Sequence, residues 1–162
     1  MNNKLDKELD IINKSDIEAI LEIERQSFGR PWNRISFLEE LSHPYSFNYV
    51  FRLLQASANS RLISYIFFHI IADEMEILKV AVDPLMRGCG IGFQMVAESL
   101  SIAEQKGAES SFLEVRQSNI AAINLYHKSG FEIIGKRPGY YPETKEDALV
   151  MMKTLKEDKN HE

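Results

Sequence analysis

Apolar residues along this chain recur with two spacings, and the spacing changes wherever glycine or proline interrupts. The stretch "ELDIINKS" reads as a first strand. Ser15 and Glu18 then have the spacing of a capping box, and Ile17, Ile20, Leu21 and Phe28 follow a helical stripe. Gly29 and Pro31 in "GRPWNR" break that helix, and "ISFLEEL" predicts a second, short one ending before Pro44. "YVFRLLQA" and "RLISYIFFHII" predict two strands of a hairpin joined by "SANS", and "MEILKVAV" a further strand stopped by Asp83 and Pro84. The clearest helix runs from Ile91 to Lys106, with Gly107 ending it. "SSFLEV" predicts a strand and Asn119 to Lys128 a helix ended by Gly130. The last two predicted strands, "FEIIGKR" and "ALVMMKTL", flank a loop "PGYYPETKED". The order is strand, two helices, three strands, helix, strand, helix, two strands, which predicts an α/β fold with a mixed sheet and helices as crossovers. Residues 156–162 are expected to be a charged, flexible tail.

Composition narrows the class. Hydrophobic residues make up 44% and charged residues 27% of 162 residues, the balance of one globular domain with a real core. The longest apolar run, "LISYIFFHIIA", falls short of the ~18 residues of a membrane helix. The charged start "MNNKLDKELD" is unlike a secretion signal, and a single cysteine fits a reducing cytoplasm. A net charge of −5 argues against nucleic acid as the main ligand and is compatible with an amine-bearing partner. Neither nucleic acid nor membrane is therefore expected as a partner.

The candidate chemistry begins at "MRGCGIG", Met86 to Gly92, a glycine turn between a strand and a helix. Unpaired amides and the helix dipole make such a place suited to phosphate. A nucleotide P-loop is excluded, because Phe93 and Gln94 stand where it needs lysine and a hydroxyl residue. A methyl-donor or dinucleotide site finds an acid in Glu114 at the end of the next strand. Against it, the spacing puts the third glycine at Phe93, and three strands precede the strand that leads into the motif. Coenzyme A is the third reading.

The residues carry a resemblance to this last reading. "VAVDPLMRGCGIG" resembles the R/Q-x-x-G-x-G/A signature of the Gcn5-related N-acetyltransferase (GNAT) superfamily, with Arg87, Gly90 and Gly92 at its fixed positions. "LEVRQSNIAAINLYHKSGF" is similar to the second half of the same superfamily at Asn119, Ala122, Tyr126, Gly130 and Phe131. With "RPW" upstream and "YYPETKEDALVM" downstream, the chain to about Leu155 resembles the Rim-type ribosomal-protein alanine N-acetyltransferases. Phe93 departs from relatives that carry a basic or small residue there.

The resemblance implies a GNAT fold over residues 1–155, with a mixed, mostly antiparallel sheet of about seven strands and about four helices. It implies acetyl-CoA as co-substrate and a protein N-terminus, that of a ribosomal protein, as acceptor. The pyrophosphate would lie on the amides of Gly88, Cys89, Gly90, Ile91, Gly92 and Phe93 beside Arg87, with all three glycines admitting close approach. Pantetheine would pair along Val80, Ala81 and Val82, and Asn119 would contact the cofactor. By resemblance Glu114 is the general base and Tyr126 the general acid, with Glu76 as an alternative base. Trp32, Tyr140 and Tyr141 offer flat walls for the acceptor. Cys89 as a nucleophile needs a base partner, and no histidine declares itself: His69 reads as structural, His43, His127 and His161 as surface residues. No metal site is expected from the spacing of His, Cys and Asp. The rival readings are an acetyltransferase for a small amine or a lysine side chain, and a non-catalytic CoA-binding module.

Overall fold

The structure is a computed structural model that describes residues 5–55 and 60–156. Its centre is a seven-stranded sheet in the order β1-β2-β3-β4-β5-β7-β6. In chain order the strands are β1 (Lys7–Ile11), β2 (Ser46–Leu53), β3 (Arg61–Ile71), β4 (Glu74–Val82), β5 (Ser110–Arg116), β6 (Glu132–Tyr141) and β7 (Glu146–Thr154). The four helices are α1 (Ile17–Ser27), α2 (Arg34–Ser42), α3 (Ile91–Gln105) and α4 (Ile120–Lys128). The unbroken apolar run of β3 is explained by burial on both faces: α3 and α4 cover Ile66, Phe68 and Ile70, while α1 and α2 cover Tyr65 and Phe67. Each such side chain, fully buried, stabilises the fold by roughly 1.5–3 kcal/mol.

All neighbouring strands are antiparallel except β4 and β5. A parallel pair needs a long crossover, and α3 supplies it. That pair is short, running from Glu74↔Ser110 to Ile77↔Leu113. At the same point β4 bulges: Phe67 faces Lys79 and Phe68 faces Ile77, leaving Leu78 without a partner on β3. A bulge sharpens local twist. Beyond it β4 follows β3 to Val82, β5 follows β7 to Arg116, and the two strands part.

Two local expectations change. The first helical cap is Asn13, which accepts from the Ser15 amide while Asp16 accepts from the Asn13 amide; Ser15 and Glu18 are not the capping pair. A short 3₁₀ turn, Lys14–Asp16, starts the helix two residues early and takes the box with it. The loop expected over 138–147 is mostly strand, because Tyr141 still pairs with Glu146 and only residues 142–145 turn. Pro138 is tolerated because β6 is an edge strand, and Gly139 (φ +60°) donates its amide to Asp147 within a register shift. "SANS" apart from Ser60, and the tail beyond Lys156, lie outside the described residues.

Candidate active site

A cleft of about 470 Å³ occupies the gap between β4 and β5. Its floor is Ile77 to Val80, one side is Glu114 to Arg116, and Asn119, Ala122 and Tyr126 of the α4 region close its far side. With β5 gone, Val80, Ala81 and Val82 pair only with β3, so one edge of this stretch is open to a ligand chain.

At the end of β4 the turn reaches α3 through Gly88 (φ +78°) and Gly90 (φ +77°), left-handed conformations that glycine adopts without strain. Gly90 caps α3 with no side-chain hydrogen bond, and the first helical bond is Gln94 N–H to Gly90 O at 3.1 Å. The amides of Ile91, Gly92 and Phe93 thus precede the helical ladder and remain available to an anion. Gly92 has no left-handed φ, and a Cβ there would rest at 3.5 Å from Leu125 and Val82, an ordinary contact. Arg87 folds back, donating to Val82 O at 3.1 Å and Ser27 Oγ at 2.9 Å, so it braces the turn against β4 and α1. Lys128 stands 4.7 Å from the ring centre of Phe93, which returns a cation to the place the sequence left without one.

Asn119 caps α4, its Oδ1 accepting from the Ala122 amide at 3.2 Å. This leaves its amide nitrogen for the cleft. Tyr126 is buried against Phe131, and desolvation pushes its phenol up to about 12. It therefore holds its proton throughout the neutral range. Glu114 faces two groups from β6: Arg137 Nε at 2.6 Å and Tyr140, whose phenol is raised chiefly by its hydrogen bond to that carboxylate. Glu76 lines the same cleft.

The mouth has two facing walls. One is Phe28, Gly29, Arg30 and Trp32 from the α1–α2 connection; the other is Tyr140, Tyr141 and Glu143. Trp32 packs on Phe37 and Phe67 at 5.3 and 6.1 Å between ring centres. Arg116 lies 3.8 Å from the Tyr141 ring centre and binds Glu143, which also meets Arg30 at 3.6 Å across the mouth. The Arg116 hydrogen bond holds the Glu143 carboxyl below its ordinary range. Cys89 is exposed, and its sulfur meets the Arg87 carbonyl at 3.8 Å.

Residues 17–131 match the model of the acetyltransferase (GNAT) family. The chain belongs to the GNAT acetyltransferase family. It is 30% identical over 145 residues to the [ribosomal protein bS18]-alanine N-acetyltransferase of Salmonella typhimurium, covering 88% of this chain and 94% of that one. A Bacillus subtilis (strain 168) protein that bears the same name provisionally is 35% identical over 143 residues, 88% of this chain and 91% of its own. The crystal structure of the ribosomal-protein-S18-alanine N-acetyltransferase from Escherichia coli superposes with a TM-score of 0.83 at 26% identity, covering 97% of this chain and 99% of that one.

Within this GNAT fold the structure brings Glu114, Tyr126, Asn119, Trp32, Tyr140 and Tyr141 to one cleft. Lys79, Arg116 and Arg137 were missed, together with Glu24 beneath the wall. A lysine inside "ILKVAV" was a visible signal, since an ammonium on an apolar strand needs a partner. Away from the cleft, Glu40, His43 and His69 place ligand atoms within 4.8 Å of one another. The two imidazoles stack in parallel, 4.3 Å apart and 9° between planes, so their nitrogens do not converge on one point. His69 pairs with Glu40, consistent with its structural reading.

Proposed function

We propose that this chain is an acetyl-CoA-dependent protein N-alpha-acetyltransferase acting on the N-terminal alanine of a small-subunit ribosomal protein. The observation that carries the reading is the opening of the sheet between β4 and β5, with free helix amides at one end and a carboxylate and a protonated phenol across it. The acceptor is taken from the names of the relatives. The catalytic unit is residues 1–155. A cytoplasmic setting is supported by the single free cysteine, and among the described residues no helix is long and apolar enough to cross a membrane.

The residues fit the co-substrate. The turn from Gly88 to Phe93 offers amides to a pyrophosphate, and no atom within 4 Å fills the space a Cβ would take at Gly88 or Gly90. The open edge from Val80 to Val82 suits an amide-bearing pantetheine chain, and its N–H groups would polarise a carbonyl. Asn119 adds a donor. Acetyl-CoA, when bound, supplies an acetyl group activated as a thioester. Glu114 takes a proton from the acceptor amine through water, which requires Arg137 to yield part of its contact. With the co-substrate bound, the amine nitrogen would bond to the acetyl carbon as the carbon–sulfur bond breaks, Tyr126 would give its proton to the leaving sulfur, and the second proton of the new amide nitrogen would return through water to the Tyr126 phenolate. Proton transfers of this kind contribute about 10²–10⁴-fold.

The test is mass spectrometry of peptides after incubation with acetyl-CoA. An alanine-starting peptide should gain one acetyl group on its terminal amine. A peptide with a blocked N-terminus and a free lysine should gain none. Acetylated lysine in the second peptide, or CoA binding without turnover on the first, overturns the reading.

A further inference from the structure

Beneath the Phe28–Trp32 wall lies an ion pair that the mechanism does not use. Glu24 of α1 is 0% exposed, and its carboxylate accepts from three groups: the Tyr65 hydroxyl, the Lys79 ammonium and the Trp32 main-chain N–H at 2.9 Å. Lys79 is the residue after the β4 bulge, opposite Phe67. From there its ammonium reaches within 3.9 Å of the Phe28 ring centre and 4.8 Å of that of Trp32. Burial pushes the Lys79 ammonium below its ordinary range, against the pull of Glu24.

We propose that Glu24 and Lys79 are positioning residues that fix the Phe28–Trp32 wall and so restrict the first residue of the acceptor to a small side chain. The inference rests on the N-terminal acetyltransferase reading above. Phe28 to Trp32 is a connection between two helices, and such segments shift readily when nothing holds them. Here it is held twice. Glu24 fixes the main chain at Trp32, and Lys79 holds both rings by cation–π contact, which strengthens when the cation is desolvated. Phe37 and Phe67 stop Trp32 from sinking further. A wall fixed in this way keeps its distance from Tyr140 and Tyr141, and a leucine or methionine at the acceptor's first position has to push against it. A bare stabilising role fits less well, because a buried ion pair adds little over apolar groups of the same volume.

The experiment compares kcat/KM for two peptides that differ only in beginning with alanine or methionine. The wild-type protein is set against the double variant Glu24→Gln/Lys79→Met. Glutamine leaves Trp32 N–H only a neutral acceptor in place of the carboxylate, methionine fills the lysine's place without its cation, and neither leaves a buried charge alone. The alanine-to-methionine ratio should fall at least tenfold, with the KM for acetyl-CoA changed by less than twofold. An unchanged ratio, even with both rates lowered together, overturns the proposal and leaves the pair a structural one. If the double variant does not fold, Lys79→Gln, which removes the cation beneath both rings and still offers Glu24 a hydrogen-bond donor, should lower the same ratio at least threefold; no change overturns the proposal. A wild-type protein inactive on both peptides overturns the acetyltransferase reading itself, and this inference with it.

Discussion

Glu114 sits between two groups of β6, with Arg137 on one oxygen and Tyr140 facing the carboxylate. This carboxylate lines the cleft and is the base we propose once Arg137 yields part of its contact, and its removal without change of shape isolates its role. Glu114→Gln should lower kcat at least tenfold while the KM for acetyl-CoA stays within twofold. Near-wild-type kcat would move the assignment to Glu76, which lines the same cleft. At this scale the shared cleft position of Glu114, Tyr126 and Asn119 was legible, Asn119 and Tyr126 from recurring positions of one motif and Glu114 from its place at the end of the strand before it. Arg137 was not legible as a partner. β7 lies between β5 and β6, so the pair spans an intervening strand that no local pattern encodes.

The α3 entrance shows how an element carries function through its backbone. Gly88 and Gly90 were legible as glycines that matter, and the left-handed φ at both gives the reason. Gly92, which looked equivalent in sequence, lies inside the helix without such a constraint. Gly90→Ala puts a Cβ on a left-handed residue at a cost of about 1–2 kcal/mol and crowds the amides beside it. It should raise the KM for acetyl-CoA at least fivefold and leave the acceptor KM nearly unchanged. Gly92→Ala should change neither by more than about twofold, by the ordinary contact its Cβ would make. Steady-state kinetics of the two variants decides the matter; equal effects from both would refute the backbone account. The β6–β7 region was the element read least well. Gly139 and Pro138 look like a loop locally, and β6 carries them because Arg137 and Tyr141 on either side pair with β7.

Across the whole molecule, the α1–α2 layer joins the sheet through a cluster around Phe37, which is 0% exposed and touches Trp32, Tyr65 and Phe67. Phe37→Ala should cost about 3–5 kcal/mol of unfolding free energy by denaturant titration. The acceptor KM should rise with it, since Trp32 loses its support, while the acetyl-CoA side, on the other face of the sheet, should hold. A loss under about 1 kcal/mol would show that the layer packs some other way. The order of elements, the mixed sheet and the glycine turn were determined by the sequence itself. Each depends on apolar period, on glycine and proline backbone limits, or on capping within a few residues. The tertiary structure alone decided where β4 bulges and leaves β5, that β7 enters between β5 and β6, and that Glu24 meets Lys79 from 55 residues away. These depend on the path of the chain through the core. Charges and strand edges so distant in sequence become neighbours only when the sheet has closed around them.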